Sequence, residues 1–521
     1  MRRVEIYDTT LRDGAQREGV ALTLADKIAI AAELDQLGVA YIEAGFPGSN
    51  PKDAELFRRA REIAFEHSTL VAFGATRRPG IDVASDAGLA ALIEAKTSVC
   101  TIFGKTSSFH VTEVLRTSRD ENLAMIEESV RFLVDKSRRV FYDAEHFFDG
   151  MREDEAYALD TLRAAVEGGA EVVVLCDTNG GSLPWVIEAA VAKVRTELGC
   201  EVGIHAHDDT GCAVASSLAA VRAGAVQVQG TFNGYGERCG NANLTTLIPA
   251  LELKGLARVI RTGALASVGR VARLVADVTN LAFDEHAPYV GRSAFAHKGG
   301  VHVAAIRRAP RAYEHVDPAL VGNETRVVVS ELSGRGNVLS VAEEQGVDVE
   351  GDAAGSVLTE VKDLESRGFA FESAEASVAL LLRRAEVGYQ APFEVIDYKF
   401  LATSGPISEV AIKVRVGSTI EHTAAEGNGP VSALDAALRK ALAPRYPAIE
   451  AIHLEDFKVR ILDGRLGTSA TTRVLVVHGD DHTRWTTVGA SPSIIEASLV
   501  ALVDGIERGL ELALQRERKA G

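Results

Sequence analysis

The sequence predicts an α/β protein with an N-terminal (β/α)8 TIM barrel, a mainly helical linker region and a C-terminal α+β regulatory domain. From Val4 to about Leu253, short β-branched runs alternate with amphipathic stretches of helical period, as in repeated βα units. Eight units in about 250 residues suit a closed barrel better than an open sheet. Helical patterns and then strands of period two follow, so we expect domains at 1–262, 263–390 and 391–521.

Each predicted barrel strand is a short run rich in β-branched and aromatic residues. The eight runs begin at Val4, Ala40, Leu70, Val99, Val140, Glu171, Val202 and Val226. Helices fill the intervals, and one of them opens with Pro184 and is followed by Gly199. A dinucleotide-binding sheet is disfavoured because the first strand leads into DTTLRDG rather than into a GxGxxG turn.

The C-terminal region contains an internal repeat. Two stretches share a G-x-x-P turn, at Gly427–Pro430 and at Gly489–Pro492, and each turn leads into a long helical pattern. A duplicated β-rich unit with a helix is more often a binding or dimerising module than a catalytic one. The repeat therefore predicts a domain that binds a small molecule or a second copy of the chain.

Composition and charge exclude several classes of partner. With 46% hydrophobic and 25% charged residues, the chain has the composition of a soluble globular protein. A net charge of −17 with scattered Lys and Arg argues against nucleic acid. No apolar run approaches the roughly 20 residues that span a bilayer, so no membrane partner is expected. Five cysteines without a CxxC pair favour the reducing cytoplasm.

The stretch GIHAHDDTG predicts half of a metal site. His205 and His207 lie one residue apart and so project to the same side of a strand, at the barrel end where active sites lie. Barrel closure brings Asp13, after the first strand, close to them, and Asn241 in a glycine-rich loop offers a fourth donor. Such a set favours Mn, Mg, Zn or Fe at an open site. The alternative is a hydrogen-bonded pair of histidines at a strand end.

Other strand ends carry groups that suit an α-keto acid. Arg12 lies beside Asp13 and could stabilise a developing oxyanion. Glu43, Glu145 and Thr178 end the second, fifth and sixth predicted strands. A metal with these neighbours could chelate a keto acid and polarise its carbonyl. The residues alone identify neither the attacking nucleophile nor the direction of the reaction.

Several motifs resemble those of a known family. DTTLRDGAQ, IEAGFP, GIHAHDDTGCAVA and NGYGERCGNANL resemble motifs of the metal-dependent barrel enzymes that include the 2-isopropylmalate, homocitrate and citramalate synthases and 3-hydroxy-3-methylglutaryl-CoA lyase. The resemblance continues through AFAHKGGVH, YEHVDPALVGN and the C-terminal repeat, and so covers nearly the whole chain.

The resemblance implies an acyltransferase that condenses acetyl-CoA with pyruvate and hydrolyses the thioester, in isoleucine biosynthesis. It implies one divalent metal ion, Mn, Mg or Zn, with acetyl-CoA as co-substrate. The implied metal ligands are Asp13, His205 and His207, with Asn241 nearby or ligating. Substrate binding falls to Arg12, Glu43 and Thr178, and catalysis to Arg12, Glu145, His302 and Tyr313.

The resemblance also implies a homodimer, in which the linker region of one subunit covers the barrel mouth of its partner. The C-terminal repeat then serves feedback inhibition by an amino acid, with isoleucine expected. The alternative substrates are 2-oxoisovalerate and 2-oxoglutarate, and a lyase running in reverse is a further alternative. A catalytically silent barrel that senses an amino acid is the alternative of another class.

Overall fold

The computed structural model describes residues 1–347, 352–402 and 407–520. These residues form two compact units. The first combines Met1–Phe295 with Val316–Glu324, and the second combines Ala296–His315 with the chain from Thr325 onward. The division at residues 262 and 390 stays a prediction. Among the described helices, none is long and apolar enough to cross a membrane.

The first unit is built on a closed barrel of eight parallel strands, as the sequence predicts. The strands are β1 Glu5–Asp8, β2 Tyr41–Gly45, β3 Thr69–Ala75, β4 Val99–Lys105, β5 Arg139–Glu145, β6 Val172–Asp177, β7 Glu201–Ala206 and β8 Gln227–Gly230. Each strand pairs in parallel with the next, and β8 closes the barrel by pairing with β1. The strand ends that carry the predicted site residues therefore meet at one rim.

Helices surround this barrel. They are α1 Leu24–Leu37, α2 Pro51–Ala60, α3 Ala87–Ala95, α4 Arg119–Asp135, α5 Phe147–Glu153, α6 Glu155–Gly168, α7 Pro184–Leu198, α8 Ala213–Ala223, α9 Leu244–Leu253 and α10 Val268–Thr279. Local sequence sets their ends. Thr23 and Asp26 form a capping box at the start of α1, and Gly38 ends that helix at φ 84°. Pro184 and Gly199 bound α7 as predicted.

The barrel interior is packed rather than hollow. Alternate residues of the strands point inward, and the resulting cluster includes Tyr7, Tyr41, Val99, Phe141 and Val174. The rings of Tyr41 and Phe141 meet edge to face at 5.0 Å between centroids. This aromatic layer forms a floor, and ligand can therefore enter only from the rim at the carboxyl ends of the strands.

The second unit begins with helices and ends in a duplicated βββα unit, as predicted. The helices are α11 Gly300–Ile306, α12 Arg335–Glu344, α13 Ala353–Ser366 and α14 Glu375–Arg384. The first repeat contains β9 Glu394–Ala402, β10 Ser408–Val416, β11 Thr419–Gly427 and α15 Pro430–Leu442. The second contains β12 His453–Ile461, β13 Thr472–Gly479, β14 Arg484–Ser491 and α16 Ile494–Ala520.

The two repeats share one architecture and one core. In each repeat the three strands form an antiparallel sheet in chain order, and the helix packs on that sheet. Val410 and Ile412 of β10 belong to the same apolar cluster as Leu438 of α15 and Leu502 of α16. The period-two pattern of the strands thus places apolar residues on the face that the helices cover.

Candidate metal centre and active site

Three predicted metal ligands converge at the barrel rim. The Nε2 atoms of His205 and His207 lie 3.3 Å apart, and Asp13 Oδ2 lies 3.4 Å from the first and 3.9 Å from the second. All three side chains are buried. Ligand atoms held about 2.1 Å from one cation are separated by roughly 3.0–3.4 Å. The separations of 3.3 and 3.4 Å match donors around one divalent ion, and the third, 3.9 Å, is about 0.5 Å wider than that range.

A buried amide sets the tautomer of His205. Gln229 Oε1 lies 2.8 Å from His205 Nδ1, and because an amide oxygen only accepts, Nδ1 carries the proton. Gln229 Nε2 in turn donates to Asp143 Oδ1 at 2.9 Å, which fixes the orientation of the amide. The lone pair of His205 Nε2 consequently faces His207 and Asp13, as a metal ligand requires.

Asn241, which forms a β-bridge with His207, offers a fourth donor atom beside this cluster. Its Nδ2 donates to the carbonyl of Tyr235, whereas its buried Oδ1 has no hydrogen-bond partner among the described residues. A Cβ on Gly236 would lie 2.2 Å from Asn241 Nδ2 and 3.4 Å from Asp13 Oδ1, so glycine is needed for this close approach. A buried acceptor without a partner is costly, and a cation would satisfy it.

The electrostatics of the cluster favour the metal-binding protonation state at two of the three ligands, Asp13 and His207. Burial and the neighbouring His205 lower the pKa of His207 to about 4, which keeps its imidazole neutral. Burial alone would raise the pKa of Asp13, but Arg12 and the imidazoles hold it well below its usual range. The carboxylate of Asp13 and the neutral imidazole of His207 are therefore available near pH 7. Burial alone would lower the pKa of His205, but its bond to Asp13 raises that pKa above its usual value, so a metal ion would have to displace a proton there.

Arg12 is held on three sides. Its Nε donates to Glu43 Oε1 at 2.6 Å and its Nη1 to Asp13 Oδ2 at 3.2 Å. Its guanidinium lies over the ring of Phe73, 3.9 Å from the centroid. Glu43 itself is fully buried behind Arg12. Arg12 is thus held firmly beside the three candidate metal ligands, and Glu43 contacts the site through Arg12.

One cavity joins these groups. It measures about 470 Å³, and its lining includes Arg12, Asp13, Phe46, Phe73, Phe103, Asp143, Glu145, Thr178, His205, His207 and Arg238. Lys105 forms an ion pair with Glu145 Oε2 in this wall. Thr178 Oγ1 accepts from the backbone N–H of His146 at 2.9 Å, which leaves its own hydroxyl proton free to donate. The structure therefore places Glu145 and Thr178 in the same cavity as the candidate metal ligands.

His302 and Tyr313 lie in the second unit, close to each other. Their rings stack with centroids 4.0 Å apart and an angle of 22° between planes. Both side chains are exposed. The two residues predicted to act together are therefore neighbours, while their catalytic role stays a prediction.

The two aspartates after His207 have other partners. Asp208 Oδ1 accepts from the N–H of Ala213 at the start of α8, at 2.8 Å. Asp209 forms a two-pronged ion pair with Arg238, whose Nη2 also donates to the carbonyl of Thr178. These bonds tie together the loops that follow β6, β7 and β8.

Sequence reasoning missed several residues of the site. Gln229, Asp143, Tyr7 and the aromatic wall of Phe46, Phe73 and Phe103 were not predicted. Gln229 does alternate with a second buried polar residue of β8, Gln227. That alternation of VQVQ was an available sign, because a polar side chain inside a barrel needs a partner. The contact between Arg12, in the loop after β1, and Phe73 of β3 joins residues far apart in sequence and leaves no local sign.

Family comparisons agree with this geometry. The HMGL-like family model matches residues 3–272, which is just over half of the 521 residues. This chain belongs to the HMGL-like family. A model described as "Homocitrate synthase post-HMGL domain-like" matches residues 289–368, and "LeuA allosteric (dimerisation) domain" matches residues 372–510. The barrel, the helical region and the duplicated domain thus each correspond to a known module.

Sequence similarity to known proteins extends over nearly the whole chain. The chain is 53% identical to an (R)-citramalate synthase of Synechocystis sp., over 97% of this chain and 96% of the relative. It is 49% identical to an (R)-citramalate synthase of Geobacter sulfurreducens, over 97% of both chains. A probable 2-isopropylmalate synthase of Methanopyrus kandleri is 33% identical, over 97% of this chain and 98% of the relative.

Proposed function

We propose that this protein is an (R)-citramalate synthase, an acyltransferase that condenses acetyl-CoA with pyruvate and hydrolyses the thioester to release (R)-citramalate and CoA. The observation that carries the proposal is the convergence of Asp13, His205 and His207 beside Arg12 in one cavity. Relatives that bear this name are 43–53% identical over 97–98% of the chain. We assign this reaction to isoleucine biosynthesis, as the motif resemblance implies.

A divalent metal ion fits the donor set. Asp13, His205 and His207 would hold it, with the unpartnered Oδ1 of Asn241 as a further oxygen donor. When bound, such an ion acts as a Lewis acid that polarises the keto carbonyl of pyruvate. Two imidazoles with oxygen donors suit Mn²⁺, Mg²⁺ or Zn²⁺.

Arg12 and Thr178 would position pyruvate. The guanidinium of Arg12 lies next to Asp13, where it can stabilise the negative charge that develops on the keto oxygen as the new carbon–carbon bond forms. The hydroxyl of Thr178 is free to donate a hydrogen bond to the substrate carboxylate. Glu43 would contribute through its bond to Arg12 rather than by direct contact.

Glu145 is the proposed base within the barrel. Its carboxylate lines the cavity, and the ion pair with Lys105 holds it there. It would take a proton from the methyl group of acetyl-CoA, and the resulting enolate would attack the keto carbon of pyruvate. His302 and Tyr313, which stack on each other, would assist this step at the barrel of the other chain in a homodimer.

The aromatic wall favours the smallest keto acid. The ring of Phe73 lies under Arg12, stacks on Phe103 at 5.4 Å and meets Phe46 edge to face at 5.6 Å. These three rings fill space beside the point where Arg12 would hold the keto group. The methyl group of pyruvate needs less of that space than the isopropyl group of 2-oxoisovalerate, so pyruvate is the proposed substrate.

The deciding experiment measures release of the CoA thiol from acetyl-CoA with a panel of 2-oxo acids. We expect turnover with pyruvate to exceed that with 2-oxoisovalerate and 2-oxoglutarate, and His207→Ala to abolish it. A higher rate with 2-oxoisovalerate would contradict the citramalate assignment. Near-normal turnover by the His207 variant would contradict the metal site.

We further propose a cytoplasmic homodimer that isoleucine inhibits through residues 372–510. The match to a domain described as allosteric and dimerising supports both parts. One chain has a mass of 55.4 kDa, and sedimentation of the purified protein should give twice that mass. Isoleucine should lower the thiol-release rate, while deletion of the C-terminal repeat should remove that inhibition. Inhibition that persists in the shortened chain would contradict this role.

A further inference from the structure

A row of buried hydrogen bonds leads from the barrel floor to Arg12. The hydroxyl of Tyr7, on β1, has two hydrogen-bond partners: it lies 2.7 Å from Glu43 Oε2 and 2.8 Å from Thr101 Oγ1. The other carboxylate oxygen, Glu43 Oε1, accepts from Arg12 Nε at 2.6 Å. Tyr7, Glu43 and Thr101 are fully buried. One unbroken path therefore joins three strands, β1, β2 and β4, to Arg12 at the cavity.

The direction of each bond follows from the donors present. A phenol has one proton, and the carboxylate of Glu43 can only accept, so Tyr7 donates to Glu43. Tyr7 then accepts from the hydroxyl of Thr101. Burial and the charge of Glu43 raise the pKa of Tyr7 well above its usual value, which keeps the phenol protonated. The donors thus run from Thr101 through Tyr7 to Glu43, where Arg12 donates from the opposite side.

This path leaves Glu43 no freedom to turn. Tyr7 occupies one carboxylate oxygen and Arg12 the other, and the phenol ring of Tyr7 is itself packed 6.0 Å from Tyr41 and 6.2 Å from Phe141. Glu43, Asp13 and Phe73 hold the guanidinium of Arg12 on three sides. Within the described residues, no partner occupies its Nη2, which is left to serve a ligand in the cavity.

We infer that Tyr7 is a positioning residue for the condensation: its hydroxyl fixes Glu43, and Glu43 aims the guanidinium of Arg12 at the 2-oxo acid. The inference rests on the proposed function only in taking a 2-oxo acid as the ligand of Arg12. Without the hydroxyl, the carboxylate of Glu43 can rotate and the guanidinium can tilt on Phe73. The positive charge of Arg12 remains, but its orientation toward the 2-oxo acid is no longer fixed.

Tyr7→Phe tests the inference, with Tyr142→Phe as the matched control. Tyr142 is also a fully buried barrel tyrosine, but its hydroxyl has no hydrogen-bond partner among the described residues. We expect Tyr7→Phe to lower kcat/KM for pyruvate by about tenfold, as loss of one charge-assisted hydrogen bond would. The KM for acetyl-CoA and the affinity for Mn²⁺ should stay within about twofold of wild type, and Tyr142→Phe should match wild type throughout.

A second variant separates positioning from stability. Thr101→Val should give a smaller loss in the same direction, and the Tyr7→Phe/Thr101→Val double variant should equal Tyr7→Phe alone, since Thr101 acts only through Tyr7. Equal kcat/KM for the Tyr7 and Tyr142 variants would overturn the inference. So would losses in the double variant that multiply.

The same comparison distinguishes a wrong substrate from a wrong residue role. Wild-type enzyme that prefers another 2-oxo acid overturns the proposed substrate, and the Tyr7 variants are then compared with that acid. If no 2-oxo acid is turned over, the dissociation constant of oxamate on the Mn²⁺-loaded protein provides the same measurement. A tenfold weaker constant for Tyr7→Phe supports the inference, and an unchanged constant refutes it.

Discussion

Replacement of Gln229 by leucine tests how the barrel prepares its metal ligands. Gln229 is fully buried on β8 and makes two bonds, one to His205 Nδ1 at 2.8 Å and one to Asp143 Oδ1 at 2.9 Å. Leucine has a similar size but neither bonding group. The variant should therefore leave the fold intact while releasing His205 from its tautomer and ring orientation.

The structure sets the magnitude of the effect. Loss of a bond that orients a metal-bound imidazole typically weakens metal affinity by about 10–100-fold, equivalent to roughly 1.4–2.7 kcal/mol. The imidazole of His205 and the carboxyl of Asp143 also lose a buried partner, so the free energy of unfolding of the metal-free protein should fall by about 2–4 kcal/mol. Isothermal titration with Mn²⁺ measures the first quantity and denaturant unfolding the second.

Gln227→Leu is the matched control. Gln227 lies two residues earlier on the same strand and is also fully buried, but neither atom of its amide has a hydrogen-bond partner among the described residues. Its replacement should leave Mn²⁺ affinity unchanged and stability unchanged or higher. Equal Mn²⁺ affinities of the Gln229 and Gln227 variants would refute the proposed support of His205.

Three further predictions concern the metal, the substrate and pH. Removal of metal by a chelator should abolish thiol release and added Mn²⁺ should restore it; turnover that survives chelation would exclude a metal-dependent step. Phe103→Val should enlarge the cavity beside the aromatic wall and raise the rate with 2-oxobutanoate relative to pyruvate by about tenfold. An unchanged ratio of the two rates would show that Phe103 does not select the substrate. Burial and then the nearby Arg439 lower the pKa of His478 to about 4, below the value of about 6.5 in the unfolded chain. The unfolded chain therefore gains a proton at His478 below about pH 6.5 that the folded protein does not. The free energy of unfolding should fall by about 1 kcal/mol between pH 7.5 and 5.5 for this reason. Denaturant unfolding of His478→Gln should lose that part of the pH dependence, and an identical dependence in both proteins would argue against it.

The barrel could be predicted because its pattern is local. Each strand needs only a short β-branched run, each helix an apolar stripe and caps such as Thr23 and Gly38, and both repeat every 30 residues or so. The pairing of His205 with His207 could also be predicted, because residues i and i+2 of a strand point to the same side. Barrel closure then brought Asp13 to the same rim. These inferences required only chain order and strand geometry.

The groups that support the ligands could not be predicted in this way. Three contacts join residues that are far apart in sequence: Arg12 with Phe73, Gln229 with Asp143, and Tyr7 with Glu43. They depend on the stagger of neighbouring strands and on rotamers chosen by packing, which no local pattern records. Polarity and spacing thus placed the reactive groups at one rim, whereas only the packed interior of the barrel decided how each of them is aimed.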